Sequence, residues 1–322
     1  MRQTLQLLAL ACCTMLAPMP AAWGAFPEQA IKLVVGFPAG STADLIARAL
    51  GTRLTSQLGQ PVIVENRAGA GSSIAADAVA KAPPDGYTLL VSTTANVINP
   101  LLSTNSKFDF GRDLAPIALL AENPVVLIAP GNSPLVNVAS LVAAAKAAPG
   151  TLTFASSGNG TFTHLYGELF NLLAGIKLTH VPYKGSTQAM TDVMASVVDL
   201  SFTPATPVMG QIKAAKLKAL AVIGRQRMAA LPDVPTFADA GIPGFDSALW
   251  FGLNAPAGTP KAVIDRLSTE VQRAFASPEM RSLLVGQGID PVAAGPAQFA
   301  DLIGRETRQW AQAVKSSGVK LD

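Results

Sequence analysis

Short runs rich in β-branched and apolar residues recur along this chain and alternate with stretches of helical period, and that alternation most narrows what it can fold into. The runs are Ile31–Val35, Val62–Glu65, Tyr87–Val91, Val125–Ala129, Leu152–Ser156, Leu178–Pro182, Asp199–Phe202 and Ala219–Ile223. Strands that alternate with helices predict α/β units with largely parallel sheets. The clearest helix spans 42–58, where Leu45, Ile46, Ala49, Leu50 and Leu54 share one face and Gly59 is placed to end it. Further helices are expected over 75–80, 141–148, 165–174, 188–195, 261–276 and 296–316. The last two have no companion strands and read as a C-terminal return onto the first part of the fold.

The N-terminus carries a different signal. Arg2 precedes the apolar run Leu5–Leu16, which ends in the small and turn-forming stretch Pro18–Ala25. That is the pattern of a secretory signal peptide over residues 1–24, with cleavage expected after Gly24 and Ala25 as the close alternative. The run is too short to span a bilayer, and no later segment reaches the roughly 18 uninterrupted apolar residues a spanning helix needs. Both cysteines, Cys12 and Cys13, lie inside the leader, so the exported chain has no thiol for a disulfide, a metal or nucleophilic catalysis. A lipoprotein reading of Leu10-Ala11-Cys12-Cys13 is the alternative, but it would leave a very short apolar core before Cys12, and a good cleavage site exists downstream.

About 300 residues remain after cleavage, more than one ordinary core holds, so two domains of about 150 residues are expected. Crossovers near 117–123 and 219–225 would make residues 124–218 an inserted second lobe, with 25–123 and 219–322 building the first. Two crossovers make a hinge that can close a cleft. The 24 Lys and Arg nearly balance the 21 Asp and Glu, and no basic run occurs, which excludes the concentrated stripe that nucleic-acid binding requires.

Three loops that follow strands carry the chemistry. In Gly36–Asp44, glycine frees the backbone, Ser41 can N-cap the helix and Asp44 can complete a capping box. A helix N-terminus of this kind offers free N–H donors and partial positive charge to a carboxylate or phosphate without a lysine or arginine. A well-capped helix is the plainer reading of that motif alone. Ser156–Thr161 repeats the design after Leu152–Ala155, and Tyr183–Ser186 adds an aromatic, a cation and another candidate N-cap. Three such loops at strand carboxyl ends, where open α/β sheets bind ligands, favour a site.

Enzyme classes fit poorly. Gly158 and Gly160 begin a dinucleotide fingerprint, but Thr163 holds the third glycine position and the next strand ends in Pro182-Tyr183 instead of an acid. Gly69-Ala70-Gly71 lacks a P-loop ending. Ser157 and His164 suggest a nucleophile and base, yet no G-x-S-x-G elbow occurs, and His164 and His180 are the only histidines. Structural histidines on a helix and a strand are the simpler reading. No carboxylates show recognisable metal-ligand spacing.

The ordered segments Ile31–Gly40, Val64–Gly71, Pro84–Leu89, Ala155–Thr161, His180–Gly185, Leu231–Thr236 and Ala255–Pro260 run through the whole mature chain. In these the chain resembles the tripartite tricarboxylate transporter substrate-binding proteins, the Bug family of periplasmic receptors. The resemblance implies a two-lobe Venus-flytrap receptor of the periplasm, not an enzyme, with no cofactor or metal. It implies that two loops pinch a small carboxylate through backbone N–H and hydroxyl groups. Carried over by residue, the pincer involves Phe37, Ala39, Gly40, Ser41 and Thr42 on one side, and Ser156, Ser157, Gly158, Asn159, Gly160 and Thr161 on the other. Tyr183 and Lys184 would flank the cleft, and Thr94 and Asn96 would add wall contacts. Asp85-Gly86 and Pro232–Pro235 match the family as structural turns.

Two departures bear on the ligand. The first loop reads Gly40-Ser41-Thr42-Ala43-Asp44 where relatives often have Gly-Gly-x-Thr-Asp, so one hydroxyl is lost at Ala43 and one gained at Ser41. Thr203 stands where relatives often carry an aspartate, which removes a partner for an amino group and favours a plain mono- or dicarboxylate, aromatic ones included. The expected partners are that ligand and a membrane permease, or a membrane sensor if the receptor signals. A monomer is expected, since lobe closure needs free surfaces.

Overall fold

The computed structural model describes residues 26–103, 108–228, 230–245 and 248–317. The expected leader, its expected cleavage point and both cysteines lie outside these residues. In chain order the elements begin with β1 (Ile31–Val35), α1 (Thr42–Leu58), β2 (Val62–Asn66), a 3-10 turn (Ala70–Ser72), α2 (Ser73–Ala80), β3 (Thr88–Thr93), α3 (Thr94–Leu102), α4 (Phe110–Asp113) and β4 (Leu114–Asn123). Next come β5 (Val125–Pro130), α5 (Val138–Ala147), β6 (Thr153–Ser156), α6 (Phe162–Ala174), β7 (Thr179–Pro182), α7 (Ser186–Met194), β8 (Leu200–Pro204), α8 (Ala205–Lys213) and β9 (Leu217–Ile223). The described chain closes with β10 (Leu249–Pro256), α9 (Lys261–Ala276), α10 (Pro278–Gly286), β11 (Asp290–Ala294) and α11 (Pro296–Ser317).

Two sheets form, ordered β11-β4-β10-β3-β1-β2 and β7-β6-β8-β5-β9, each flanked by helices. This is an α/β fold of two lobes. Between strands, parallel pairing is confined to β1 with β2 and β3, and β6 with β7 and β8. Every strand-to-strand pairing made by β10, β4, β11, β5 and β9 is antiparallel, apart from an isolated parallel bridge between Val222 and Thr236, so the expectation of largely parallel sheets is corrected. The reason lies in the crossover. Leu114–Pro130 is one long apolar stretch broken at Pro124, where the chain leaves the first sheet as β4 and enters the second as β5. Segment 117–123, read from sequence as connection, is thus part of a ten-residue strand. At the other crossover, Ala219–Ile223 belongs to β9 and pairs with β5, which puts it inside the second sheet.

The C-terminal part also differs from expectation. α9 and α11 do have companion strands, β10 and β11, which pair with β4 from either side. Gly252 hides β10 in the sequence, and its place is set by packing: a Cβ there would lie 2.0 Å from Phe299 Cζ on α11. α11 packs against α6 of the second lobe as well as α3 and β4 of the first, so it straddles the lobes.

Burial organises this arrangement. α1 and α9 cover one face of the first sheet, joining Leu33, Ile46, Leu50, Leu253 and Leu267 in one apolar cluster. A second cluster runs continuously from Leu90 and Trp250 in the first lobe, through Trp310, to Tyr166, Phe170 and Phe202 in the second. The Tyr166 and Trp310 rings meet edge to face with centroids 5.2 Å apart. Non-directional burial of this kind holds the lobes together on the α11 side. α1 ends as the sequence requires, with Gly59 at φ 71° and its N–H on the Thr55 carbonyl.

Candidate functional site

The first loop leaves the carboxyl end of β1 and enters α1 at its N-cap, Ser41, whose Oγ accepts from Asp44 N at 3.3 Å. The return half of the expected capping box is absent. Ser41 N donates to the Pro38 carbonyl, and Asp44 Oδ2 instead accepts from Gly40 N at 2.9 Å. The cause is a small network that holds this carboxylate in place. Arg48 Nε donates to Asp44 Oδ2 at 3.0 Å, and Asn66 Nδ2 donates both to Asp44 Oδ1 and to the Phe37 carbonyl. Burial pushes the Asp44 carboxyl up, but hydrogen bonds from Arg48, Gly40 and Asn66 and the Arg48 charge outweigh it and leave the pKa lowered. The N–H groups of Thr42 and Ala43, the first two of α1, have no acceptor among the described residues.

The second loop leaves β6 and enters α6 with Thr161 at the N-cap, yet the hydroxyl does not cap. Thr161 Oγ1 donates backwards to the Gly158 carbonyl at 2.7 Å. The N–H groups of Phe162, Thr163 and His164 are therefore left without an acceptor among the described residues. Thr163 shapes the loop from behind: its Oγ1 accepts from Ser157 N at 2.9 Å and lies within hydrogen-bond distance of the Ser157 and Thr161 hydroxyls. Thr163 is buried, so removing the hydroxyl in Thr163→Val strands these partners. The variant should lose about 1–3 kcal/mol of stability and bind ligand about tenfold more weakly. Calorimetric titration reads the second effect, and an unchanged affinity would show that the loop keeps its shape without Thr163.

Between the lobes lies a cleft of about 910 Å³. Phe37, Ser41 and Thr42 from the first loop and Ser157, Asn159, Gly160 and Thr161 from the second line it. Gly40, Ser156 and Gly158 are outside this lining; exposed Gly40 donates from N to Asp44 Oδ2, and Gly158 N donates to Ser156 Oγ at 3.1 Å. Ala39 is exposed on the loop but not part of the lining.

Other candidates lie elsewhere. Thr94 is fully buried and its Oγ1 accepts from Trp250 N at 3.1 Å. Asn96 is equally enclosed, since Thr93 N donates to its Oδ1 and its Nδ2 reaches the Ser72 carbonyl. Both belong to the start of α3, a helix not among those expected from the sequence. Tyr183 donates from its hydroxyl to Asp192 Oδ2 at 2.7 Å, and burial with that bond and charge pushes its pKa up to about 12. Lys184 is exposed and outside the lining. Ser186 opens α7 as its first helical residue while Gly185 occupies the cap position. Thr203 is buried in β8 opposite Val126, so its side chain does not form the cleft wall.

The wall has members that sequence reading missed. Ala70, Gly71 and Ser73 enter from the turn before α2, and Asn99 of α3 pins that turn by donating to the Gly71 carbonyl at 2.7 Å. Gly69–Ser73 is another glycine-rich loop between a strand and a helix, a signal obscured by weighing it only as a nucleotide motif. Phe108, Phe162 and Phe251 join Phe37 as aromatic wall. Among the described residues the one ionisable lining residue is Asp77, paired with Lys81 at 2.7 Å. The described lining therefore offers helix N-termini, hydroxyls and apolar rings, with no lysine or arginine among them.

A sequence profile of the tripartite tricarboxylate transporter family receptor matches residues 46–319. The chain belongs to this receptor family. It is 36% identical over 304 residues to the Bordetella pertussis protein BugT, a match covering 94% of this chain and 93% of BugT. Among solved structures, the receptor fold aligns with the Rhodopseudomonas palustris protein Rpa4515 with adipate at a TM-score of 0.73 and 32% identity, over 92% of this chain and 99% of that one. MatC from Rhodopseudomonas palustris, with bound malate, aligns at 0.70 and 31% identity, over 90% of this receptor and 100% of MatC.

Proposed function

We propose that this receptor works in the periplasm, closing its two lobes on a small carboxylate and delivering it to a membrane permease. One observation carries the reading: two helix N-termini whose first N–H groups have no acceptor among the described residues, those of α1 and α6, enter the same cleft from opposite lobes. Each presents partial positive charge and oriented donors to an anion, without the desolvation that a buried lysine would require. Adipate and malate in the two neighbouring structures are small carboxylates of the kind such a grip suits. Phe37, Phe108, Phe162 and Phe251 extend the candidate class to carboxylates with an aromatic or long apolar body.

The lobes we assign are residues 25–123 with the C-terminal part, and 124–223, the second running through β9 because that strand pairs with β5. Residues 1–24 are the proposed export signal, removed on secretion. A binding role is favoured over a serine hydrolase by the bonding of Ser157, whose Oγ meets Thr163 instead of a histidine. Ser156, which does meet His180, is buried and outside the cleft lining.

The test is a thermal-shift screen of refolded, ligand-free mature protein against carboxylates, amino acids, sugars and phosphates. Ligand at 100 times its Kd stabilises by about 2.7 kcal/mol. The expected result is a shift confined to one carboxylate subclass. Shifts only with sugars, or only with phosphates and nucleotides, would overturn the proposal.

A further inference from the structure

The chain's two histidines, which the carboxylate grip does not itself use, are stacked on one another directly behind the second loop. The ring centroids of His164 (α6) and His180 (β7) are 3.7 Å apart and their planes differ by 7°. Each ring holds part of the loop. Gly160 N donates to His164 Nδ1 at 3.1 Å, and His180 Nε2 lies 2.6 Å from Ser156 Oγ, which in turn accepts from Gly158 N. We propose that this imidazole stack is a positioning pair, holding the Gly158–Gly160 loop in the binding conformation only while His164 Nδ1 is free to accept, so that acidification of the stack releases the ligand. The inference rests on the second loop being half of the carboxylate grip.

The chemistry follows from the donor and acceptor roles. An Nδ1 that accepts from Gly160 carries no proton, so the neutral His164 ring has its proton on Nε2, 3.7 Å from Glu168 Oε1. A second proton would put an N–H on Nδ1, directed at the Gly160 N–H, and two donors cannot share one hydrogen bond. Parallel rings this close also cannot both carry charge without strong repulsion. Phe154 of β6 stacks on His180 with centroids 5.0 Å apart and adds an apolar neighbour. Burial and the neighbouring His164 push the His180 pKa down to about 4, while Glu168 acts weakly in the other direction. Among the described residues, His164 and Glu168 are the titratable groups that act on His180.

The experiment has two arms. In ligand-free mature protein labelled with 15N at glycine and histidine, NMR should find His164 as the Nε2–H tautomer, with the Gly158 and Gly160 amide signals moving as the imidazoles titrate. The opposite tautomer, or glycine amides that stay still through the titration, would overturn the proposal. In the second arm, malate and adipate are titrated calorimetrically at a series of pH values into wild type, His164→Leu and His164→Asn. Loss of the acceptor in His164→Leu should weaken binding about tenfold at neutral pH. Asparagine can present Oδ1 to Gly160 and cannot titrate, so His164→Asn should recover part of that loss and show a flatter fall in affinity with acid. Comparing variants removes the ligand's own protonation, and identical pH profiles for wild type and His164→Asn would overturn the inference. Should malate and adipate bind at no pH, that failure would count against their place in the proposed ligand class, and the NMR arm alone would decide the role of the stack.

Discussion

Asp44→Ala is expected to weaken carboxylate binding by about a hundredfold, roughly the effect of losing one or two charge-assisted hydrogen bonds. Asp44 does not line the cleft, but its carboxylate accepts from Gly40 N, Arg48 and Asn66, and Asn66 in turn holds the Phe37 carbonyl. Without it the loop from Phe37 to Ser41 loses its anchor, and the N–H groups of Thr42 and Ala43 are no longer set toward a common acceptor. The Arg48 side chain is 54% exposed and can return to water, so destabilisation should stay near 2–3 kcal/mol. Asp44→Asn retains one acceptor oxygen and should fall between alanine and wild type. Calorimetric titration beside a melting curve separates affinity from folding. A folded Asp44→Ala protein with unchanged affinity would show that the network is only structural. Because the folded pKa is lowered, this contribution is intact above the unfolded value of about 3.9 and is lost as the pH falls through the lowered value.

The second large effect belongs to Glu306, which is 1% exposed on α11 where the lobes share their core. Its Oε2 accepts from Trp250 Nε1 at 2.8 Å and from Trp310 Nε1 at 3.2 Å. Burial raises the carboxyl most, the two indole N–H bonds and the Arg305 charge oppose it and nearby Glu122 adds to it, for a net pKa of about 8. The folded protein thus holds this proton more tightly than the unfolded chain, where glutamate titrates near 4.3. The associated stability is fully present below about 4.3 and is lost as the pH rises through about 8, by an amount on the order of a few kcal/mol. Glu306→Gln keeps an acceptor for the indoles and cannot ionise, so its stability should stay level between pH 6 and 9 while wild type declines. Glu306→Ala leaves two indole N–H groups unpaired beside a cavity and should lose about 3–5 kcal/mol relative to wild type at pH 6, a gap that narrows toward pH 9 as wild type declines. Chemical unfolding followed by tryptophan emission reads all three proteins, because Trp250 and Trp310 are the only tryptophans after residue 24. Matching pH profiles for wild type and Glu306→Gln would remove Glu306 from this role.

The alternation of apolar runs and helical periods in the sequence determined the α/β class, and it located β1 and α1 nearly to the residue. The Ser41 N-cap was equally legible, because its bond from Asp44 N lies within one turn of backbone, but the return bond from Asp44 was not, since Arg48 and the sequence-distant Asn66 hold that carboxylate elsewhere. The seven lining residues foreseen on the first and second loops sit on those two helix starts. What tertiary structure decided was direction and company. β10 went unread because Gly252 answers to Phe299 on α11 and Asn254 to Ser92, whose hydroxyl donates to its Oδ1 at 2.6 Å, contacts 47 and 162 positions apart. The strand directions changed because β4 and β5 are halves of one apolar stretch that enters each sheet from the hinge. Thr94 and Asn96 turned into the core because Trp250 and Ser72, remote in sequence, present partners there. Local periodicity records which face of an element is buried, but the identity of what buries it, and the cleft left between the lobes, depends on contacts that no single stretch of sequence contains.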